Sequence, residues 1–199
     1  MNAPLSGADR YVNADEFFGV GGHFFLVEFK SSEGNLKDES RKASACTLCG
    51  RLNDSIDARL LHDVGHFAAW GRKEYNGPLQ TRIGVYRKLV CRTDVLASCE
   101  HAVAPQDDWQ AIPGDEFLTR AEDSNLGLDA EKFKTYLRWL LDSPPGDGSP
   151  PDFPLVVFGF TYSEGIQDKR FSSYADFSHW AAAAVQYAKK IGATKKFGP

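Results

Sequence analysis

Asp15, Glu28 and Lys30 are the residues whose types and spacing best suit hydrolytic chemistry on a phosphate. Two carboxylates placed side by side repel each other, so a fold would not choose the pair for stability. A divalent cation between them replaces this repulsion by attraction, because both carboxylates then bind the cation and hard oxygen ligands suit Mg²⁺ or Mn²⁺. The lysine would orient or deprotonate a water molecule, or stabilise the charge that develops on the phosphate. The three groups together predict phosphodiester hydrolysis.

A β-hairpin is the element that must bring these groups together. Gly21-Gly22 is a strong signal for a two-residue turn, because both glycines reach the positive φ that such a turn demands. Val20 then pairs with His23, and counting outward places Asp15 directly opposite Glu28. The Cβ atoms of opposed residues lie about 4.5–5.5 Å apart on one face of a sheet. The lysine two positions further along the second strand shares that face.

This segment resembles the PD-(D/E)xK nuclease superfamily, which includes restriction endonucleases and resolvase-like and repair nucleases. The carriers of the resemblance are Asp15, the hairpin after it, and Glu28-Phe29-Lys30 at the end of an apolar strand. The resemblance implies a restriction-endonuclease-like core and Mg²⁺ or Mn²⁺ held by Asp15, Glu28 and the backbone carbonyl of Phe29. It implies a metal-dependent nuclease, and we expect DNA rather than RNA as its substrate.

The helix after the E-x-K tripeptide is, in this family, often a source of basic residues near the site. Lys37, Arg41 and Lys42 are therefore expected to bind nucleic-acid phosphates. The net charge of −4 gives no global attraction to nucleic acid, and few residues precede Arg10. Both features favour an alternative, a non-catalytic binding or assembly subunit that keeps the fold without cleavage.

Four cysteines are expected to be thiols or ligands of a structural Zn²⁺ rather than disulfides, because no secretion signal is evident. Cys46-Thr-Leu-Cys49 has the C-x₂-C spacing of a zinc knuckle. Cys91 and Cys99 would complete a Cys₄ set, although seven residues lie between them. Buried, inert cysteines are the simpler interpretation.

His62, Asp63 and His66 form a second candidate site. The two histidines lie four residues apart, on one face of a helix, as zinc-binding histidines do in H-E-x-x-H. Asp63 stands where that motif has glutamate, which argues against a metalloprotease. The adjacent His-Asp pair resembles the HD phosphohydrolase signature, which implies a metal phosphohydrolase acting on a nucleotide. A structural helix with one exposed and one partly buried histidine is the simpler interpretation.

Strand and helix signals alternate along the chain and predict an α/β fold with a mixed β-sheet flanked by helices. We expect one domain over residues 1–199, with a core at about 9–105 and an elaboration at about 106–199 that contains a Pro/Gly loop at 143–151. The predicted strands are Arg10–Val20, His23–Lys30, Thr81–Val90 and Pro154–Tyr162. The predicted helices are Leu36–Leu52, Ser55–Trp70, Gly114–Ala121, Leu128–Asp142 and Phe177–Ile191.

No apolar run approaches the roughly 20 residues that a membrane span needs. We therefore expect a cytoplasmic protein that does not bind membranes. A restriction, antiviral defence or mobile-element system is expected by analogy with the nuclease family. A homo-oligomer or a partner protein stays open, because nucleases that cut duplexes often need two sites.

Overall fold

A computed structural model describes residues 2–4, 16–20, 23–73, 77, 79–123, 126–141, 155–161, 165–171, 176 and 179. The strands are β1 (Asn2–Pro4), β2 (Glu16–Val20), β3 (His23–Lys30), β4 (His66–Lys73), β5 (Leu79–Val85), β6 (Ile112–Pro113), β7 (Leu155–Thr161) and β8 (Gly165–Phe171). The helices are a 3₁₀ helix (Glu33–Arg41), α1 (Ala43–Asp54), α2 (Ile56–Gly65), α3 (Tyr86–Val90), α4 (Gly114–Glu122) and α5 (Ala130–Leu141). None of these helices combines the length and apolar character needed to cross a bilayer.

The main sheet is mixed and has its strands in the order of the chain, β1 to β6. β3 and β4 run parallel, and the other neighbours run antiparallel. A parallel pair needs a long crossover, and here the 3₁₀ helix, α1 and α2 provide it. β7 and β8 form a separate antiparallel pair. The predicted α/β class with a mixed, helix-flanked sheet is confirmed.

Helices cover both faces of the sheet, because the alternate residues of β3 are apolar on both sides. Phe24 and Leu26 belong to the larger core cluster, which includes residues of α1, α2, α3 and α5. Phe25 and Val27 belong to a smaller cluster on the other face, with Phe117 of α4. Helices α4 and α5, predicted within the C-terminal elaboration, thus contribute to the core on opposite faces of the sheet.

The hairpin register predicted from Gly21-Gly22 is confirmed over the described part of β2. Val20 pairs with His23, and Glu16 pairs with Val27. Asp15 and the two turn glycines lie outside the described residues. The described register therefore supports the placement of Glu28 and Lys30 on one face, and the opposition of Asp15 to Glu28 stays a prediction.

The single helix predicted over Leu36–Leu52 is interrupted at Lys42. This residue has an extended backbone (φ −92°, ψ 110°) between the 3₁₀ helix and α1. Its backbone N–H donates to the carbonyl of Glu39 at 2.9 Å, which closes the last turn of the 3₁₀ helix. The break changes the direction of the chain between the two helices.

The helix predicted over Ser55–Trp70 ends at Gly65, and β4 begins at His66. Hydrophobic periodicity missed this change because the residues of β4 are buried on both faces, next to β3 in the centre of the sheet. Gly65 lies against Leu128, whose Cδ1 would be only 2.6 Å from the Cβ of any larger residue at that position. A larger residue at position 65 would require the Leu128 side chain to shift.

The strand predicted over Thr81–Val90 is also shorter than expected, because its last five residues form α3. Tyr86, Leu89 and Val90 turn into the larger core cluster from this helix. The strand Pro154–Tyr162 and the helices Gly114–Ala121 and Leu128–Asp142 are confirmed within one or two residues at each end. The loop 143–151 and most of the predicted helix Phe177–Ile191 lie outside the described residues.

The prediction for the four cysteines is wrong. Cys46 bonds to Cys99 and Cys49 bonds to Cys91, with Cα–Cα distances of 5.5 Å and 5.7 Å. Cys46 and Cys49 are three residues apart on one face of α1, so both face the segment 91–99. The predicted Cys₄ set is therefore consumed by two disulfides, and its sulfur atoms are not thiolate ligands for Zn²⁺.

Reduction should destabilise the protein, because each disulfide closes a long loop, with sequence separations of 53 and 42 residues. We expect a reducing agent to lower the free energy of unfolding by about 2–4 kcal/mol for each bond. Urea unfolding with and without reductant measures this. A variant with all four cysteines replaced by serine is the control and should not respond. Four thiols that react in the unfolded, unreduced protein would contradict the pairing.

Candidate functional site

Glu28 and Lys30 lie at the end of β3 on the face that carries Phe24 and Leu26. Glu28 is 1% exposed, and the Lys30 side chain is 12% exposed. Their spacing of two residues puts both side chains on the side of the sheet covered by the 3₁₀ helix and α1. The Lys30 ammonium donates to Glu28 Oε1 at 2.5 Å. Two of the three residues predicted as catalytic are thus in direct contact.

Glu39 and Lys42 complete a set of four charges around this pair. Lys30 Nζ lies 2.6 Å from Glu39 Oε1, and Lys42 Nζ lies 2.6 Å from Glu28 Oε1 and 3.1 Å from Glu39 Oε1. Glu39 is fully buried. We call Glu28, Lys30, Glu39 and Lys42 the charge cluster. Its two carboxylates and two ammonium groups sum to zero charge, which lowers the cost of burying them.

Tyr86 closes the buried side of the charge cluster. Its hydroxyl donates to Glu39 Oε2 at 2.6 Å. Burial, followed by the neighbouring charge of Glu39, raises the pKa of Tyr86 well above its ordinary value. The phenol therefore keeps its proton and acts only as a donor to the carboxylate.

The break between the 3₁₀ helix and α1 is what brings Lys42 to the charge cluster. Lys42 stands three residues after Glu39, and its extended backbone takes it out of both helices. Its side chain is 25% exposed, twice the value for Lys30. Lys42 is therefore the member of the charge cluster that faces the solvent most.

Both lysines are held as ammonium ions. Burial alone would lower the pKa of Lys30, but hydrogen bonds and charge interactions with Glu28 and Glu39 outweigh it and raise the pKa above its usual range. The same two carboxylates raise the pKa of Lys42 against the effect of burial. In this arrangement both lysines are therefore cations that donate to the two carboxylates.

Glu39 keeps its negative charge for the complementary reason. Burial alone would raise its pKa, but hydrogen bonds with Lys30, Tyr86 and Glu28, followed by the charge of Lys42, lower the pKa below the ordinary value. A buried carboxylate with these donors stays ionised at neutral pH.

Comparisons with known proteins add no family to this geometry, because no protein-family model, curated protein or solved structure matches the chain. The resemblance to PD-(D/E)xK nucleases therefore stays an expectation from the sequence, carried by Asp15, the hairpin and Glu28-Phe29-Lys30.

The fit of a divalent cation depends on the carboxylates of the charge cluster. In the part of the chain that the structure describes, no group of three or more His, Cys, Asp or Glu side chains is arranged to hold a metal ion. Glu28 and Glu39 nevertheless each place Oε1 within 2.6 Å of the same ammonium nitrogen, that of Lys30. Glu28, the described carboxylate among the expected metal ligands, offers the hard oxygen donor that suits Mg²⁺ or Mn²⁺, and its Oε1 already contacts both ammonium groups. Entry of such an ion requires an ammonium group to withdraw.

Of the three residues predicted to bind phosphate, the structure brings Lys42 alone into the charge cluster. Lys37 is exposed, and the side chain of Arg41 is 83% exposed and lies 3.3 Å from Asp38. Both belong to the 3₁₀ helix that carries Glu39. Phe29, whose backbone carbonyl was expected to bind metal, lies between the two cluster residues of β3 and has a half-exposed side chain.

His62 and His66 are both buried, and they lie on different elements. His62 is in α2, whereas His66 is the first residue of β4. Each Nδ1 contacts the hydroxyl of Tyr136, at 2.6 Å for His62 and 2.8 Å for His66. Asp63 instead pairs with the Arg87 guanidinium, at 3.0 Å and 2.5 Å. The structure therefore separates the adjacent His-Asp pair that resembled the HD signature.

The hydrogen bonds also assign the protons on the histidine rings. The backbone N–H of Arg87 donates to His62 Nε2 at 3.1 Å, so a neutral His62 carries its proton on Nδ1. The Nδ1–H of His62 donates a hydrogen bond to the Tyr136 oxygen, and the Tyr136 hydroxyl donates to His66 Nδ1. Nδ1–H of His62 is a donor and its Nε2 lone pair is an acceptor in this chain, so neither nitrogen is available to a metal ion.

Sequence reasoning missed Glu39 and Tyr86. A weak signal for Glu39 exists, because a 3₁₀ helix has three residues per turn and Leu36, Glu39 and Lys42 recur at that spacing. Leu36 is buried, so the face that it marks is the inner one. Tyr86 had no such signal, since it lies 47 residues from Glu39 and was assigned to a strand.

The buried His62 should make stability depend on pH. Burial, followed by charge interactions with His66 and Arg87, lowers the pKa of His62 well below its ordinary value. In the unfolded chain His62 binds a proton below pH ~6.5, whereas in the folded protein its ring stays neutral. The stability that depends on the neutral ring is therefore fully present above that pH and is lost as pH falls below it. We expect the free energy of unfolding to fall by up to about 1.4 kcal/mol per pH unit there.

Urea unfolding between about pH 7.5 and pH 5.5 measures this loss. His62→Gln has no titrating ring and should show a shallower decline over the same range, whatever its stability at neutral pH. An equal decline in both proteins would contradict the assignment to His62.

Proposed function

We propose that the chain is a metal-dependent nuclease that hydrolyses phosphodiester bonds, in DNA rather than RNA. The observation that carries the proposal is the convergence of Glu28 and Lys30 with Glu39 and Lys42 at the end of β3, within 2.5–3.1 Å. Structural cores bury such charges at a cost in free energy. Carboxylates and ammonium groups gathered at a strand end are the groups that phosphoryl chemistry uses.

The order of the elements supports the proposal. An antiparallel hairpin ends in the E-x-K tripeptide, and a helical segment with basic residues follows at once. These are the features on which the resemblance to PD-(D/E)xK nucleases depends, and a restriction-endonuclease-like core is part of the proposal. In it, Asp15, Glu28 and the Phe29 carbonyl hold Mg²⁺ or Mn²⁺.

Each charged group of the chain has a distinct role in this proposal. When bound, the cation supplies positive charge and water activation at the phosphodiester. Lys42, the more exposed ammonium, contacts the phosphate, and Lys30 stabilises the negative charge that develops during hydrolysis. Lys37 and Arg41, on the outside of the same helical segment, hold the nucleic-acid backbone.

The two disulfides bear on where such a nuclease works. Reducing conditions in the cytoplasm keep most thiols reduced, so Cys46–Cys99 and Cys49–Cys91 favour folding in an oxidising compartment over the cytoplasmic location expected from the sequence. A role in defence or in a mobile element, and action as a homo-oligomer or with a partner protein, stay part of the proposal by analogy with the nuclease family.

A non-catalytic binding or assembly subunit is the second candidate. Its support is the electrostatic balance of the charge cluster, in which each carboxylate contacts both ammonium groups and the sum of charges is zero. Such a cluster is stable without a cation. The same residues would then fix the 3₁₀ helix to β3 and present Lys37 and Arg41 to a nucleic acid or a protein.

A nuclease assay separates the two candidates. Plasmid DNA and single-stranded RNA are incubated with the protein and Mg²⁺, Mn²⁺ or a chelator. We expect metal-dependent cleavage of DNA, reduced at least ~100-fold in Glu28→Gln and Lys30→Met because each substitution removes a charge that acts in the transition state. Glu131→Gln and Lys132→Met, on the exposed side of α5, are matched controls and should cleave normally.

Cleavage that survives Glu28→Gln and Lys30→Met would contradict the proposed site. DNA binding without cleavage under every metal condition would favour the non-catalytic subunit. Loss of cleavage in His62→Ala but in neither cluster variant would favour the HD-type alternative, with circular dichroism spectra excluding misfolded variants.

A further inference from the structure

The two oxygen atoms of Glu39 have different partners. Oε1 lies 2.6 Å from the Lys30 ammonium and 3.1 Å from the Lys42 ammonium. Oε2 accepts the hydroxyl hydrogen of Tyr86 at 2.6 Å. The phenol therefore fixes the rotation of the carboxylate, and the carboxylate fixes both ammonium groups beside Glu28.

Tyr86 is itself held on its other side by aromatic rings. Its ring lies 4.8 Å from the ring of His66, at 33°, and 6.1 Å from the ring of His62, at 76°. Tyr86 and Glu39 are both fully buried. Neither can contact a nucleic acid in this arrangement, so any effect on chemistry must act through the lysines.

We propose that Glu39 and the Tyr86 hydroxyl are positioning groups that hold Lys42 beside Glu28 for the proposed hydrolysis. This inference rests on the proposed function and adds to it two buried groups that position Lys42. Lys42 needs such positioning more than Lys30, because its side chain is more exposed and begins at the extended residue between the 3₁₀ helix and α1.

The charges of the cluster explain how Glu39 keeps Lys42 in place. With Glu39 charged, two ammonium groups face two carboxylates. Without that charge, both would share Glu28 alone and repel each other within a few ångströms. Lys42, which has solvent beside it, would then turn outward and leave the phosphate-binding position, whereas Lys30 would stay against Glu28.

Two variants test the role. Tyr86→Phe removes one oxygen atom and keeps the ring contacts, and Glu39→Gln keeps the shape and removes the charge. We expect kcat to fall about 10-fold in the first and about 100-fold in the second, and KM to rise in both, because a Lys42 that turns outward no longer contacts the phosphate. Tyr136→Phe is the matched control, since it removes an equally buried hydroxyl that contacts His62 and His66 and does not touch Glu39. It should lose stability and keep its kcat.

A second readout follows Lys42 directly and does not need activity. Limited acetylation with an amine-reactive reagent, analysed by peptide mass spectrometry, reports how often this ammonium leaves its carboxylates. We expect Lys42 to react at least about fivefold faster in Tyr86→Phe and Glu39→Gln than in the wild type or in Tyr136→Phe, because only a lysine that has left its carboxylates can deprotonate and react.

The outcomes are separable. Faster acetylation together with the fall in kcat supports the positioning role. Unchanged acetylation of Lys42 in both variants overturns it, as does a wild-type kcat in Glu39→Gln when the wild type is active. A wild type that cleaves nothing overturns the proposed function instead, and acetylation still decides whether Glu39 and Tyr86 hold Lys42.

Discussion

Neutralisation of charge in the interior is the condition under which β3, the 3₁₀ helix and α3 can pack together. Glu28 and Glu39 lose their hydration almost completely, and only the two ammonium groups make that tolerable. The interaction also sets local geometry. The chain leaves helical conformation at Lys42, where the third and fourth contacts of the cluster are made.

The ion pairs that stabilise the charge cluster also occupy its charged groups, so these groups are not open to a new partner. Each carboxylate is engaged with ammonium groups, and both lysines are charged, so a substrate or cation must displace contacts already made. In the proposed nuclease, the groups of the charge cluster are therefore in position but require an opening step before they react.

The local features of the sequence predicted the fold well where short-range rules decide. The two-residue turn gave the hairpin register, and the uninterrupted apolar run gave β3 as a doubly covered strand. The errors arose where distant packing decided. His66 follows a helical pattern but pairs in a strand, because burial between β3 and β5 outweighs local periodicity. Tyr86 joined the site through a contact with Glu39, 47 residues away, that no local pattern encodes.

The two disulfides have a consequence for how the molecule opens. They join α1 to the segment 91–99, so the layer on one face of the sheet is linked covalently, whereas α4 on the opposite face is held by packing alone in the described structure. Local unfolding should then differ between the faces. Amide hydrogen exchange in α1 would require a nearly global transition, and α4 would exchange through smaller, independent openings. We therefore expect the layer that carries the charge cluster to open more slowly than α4.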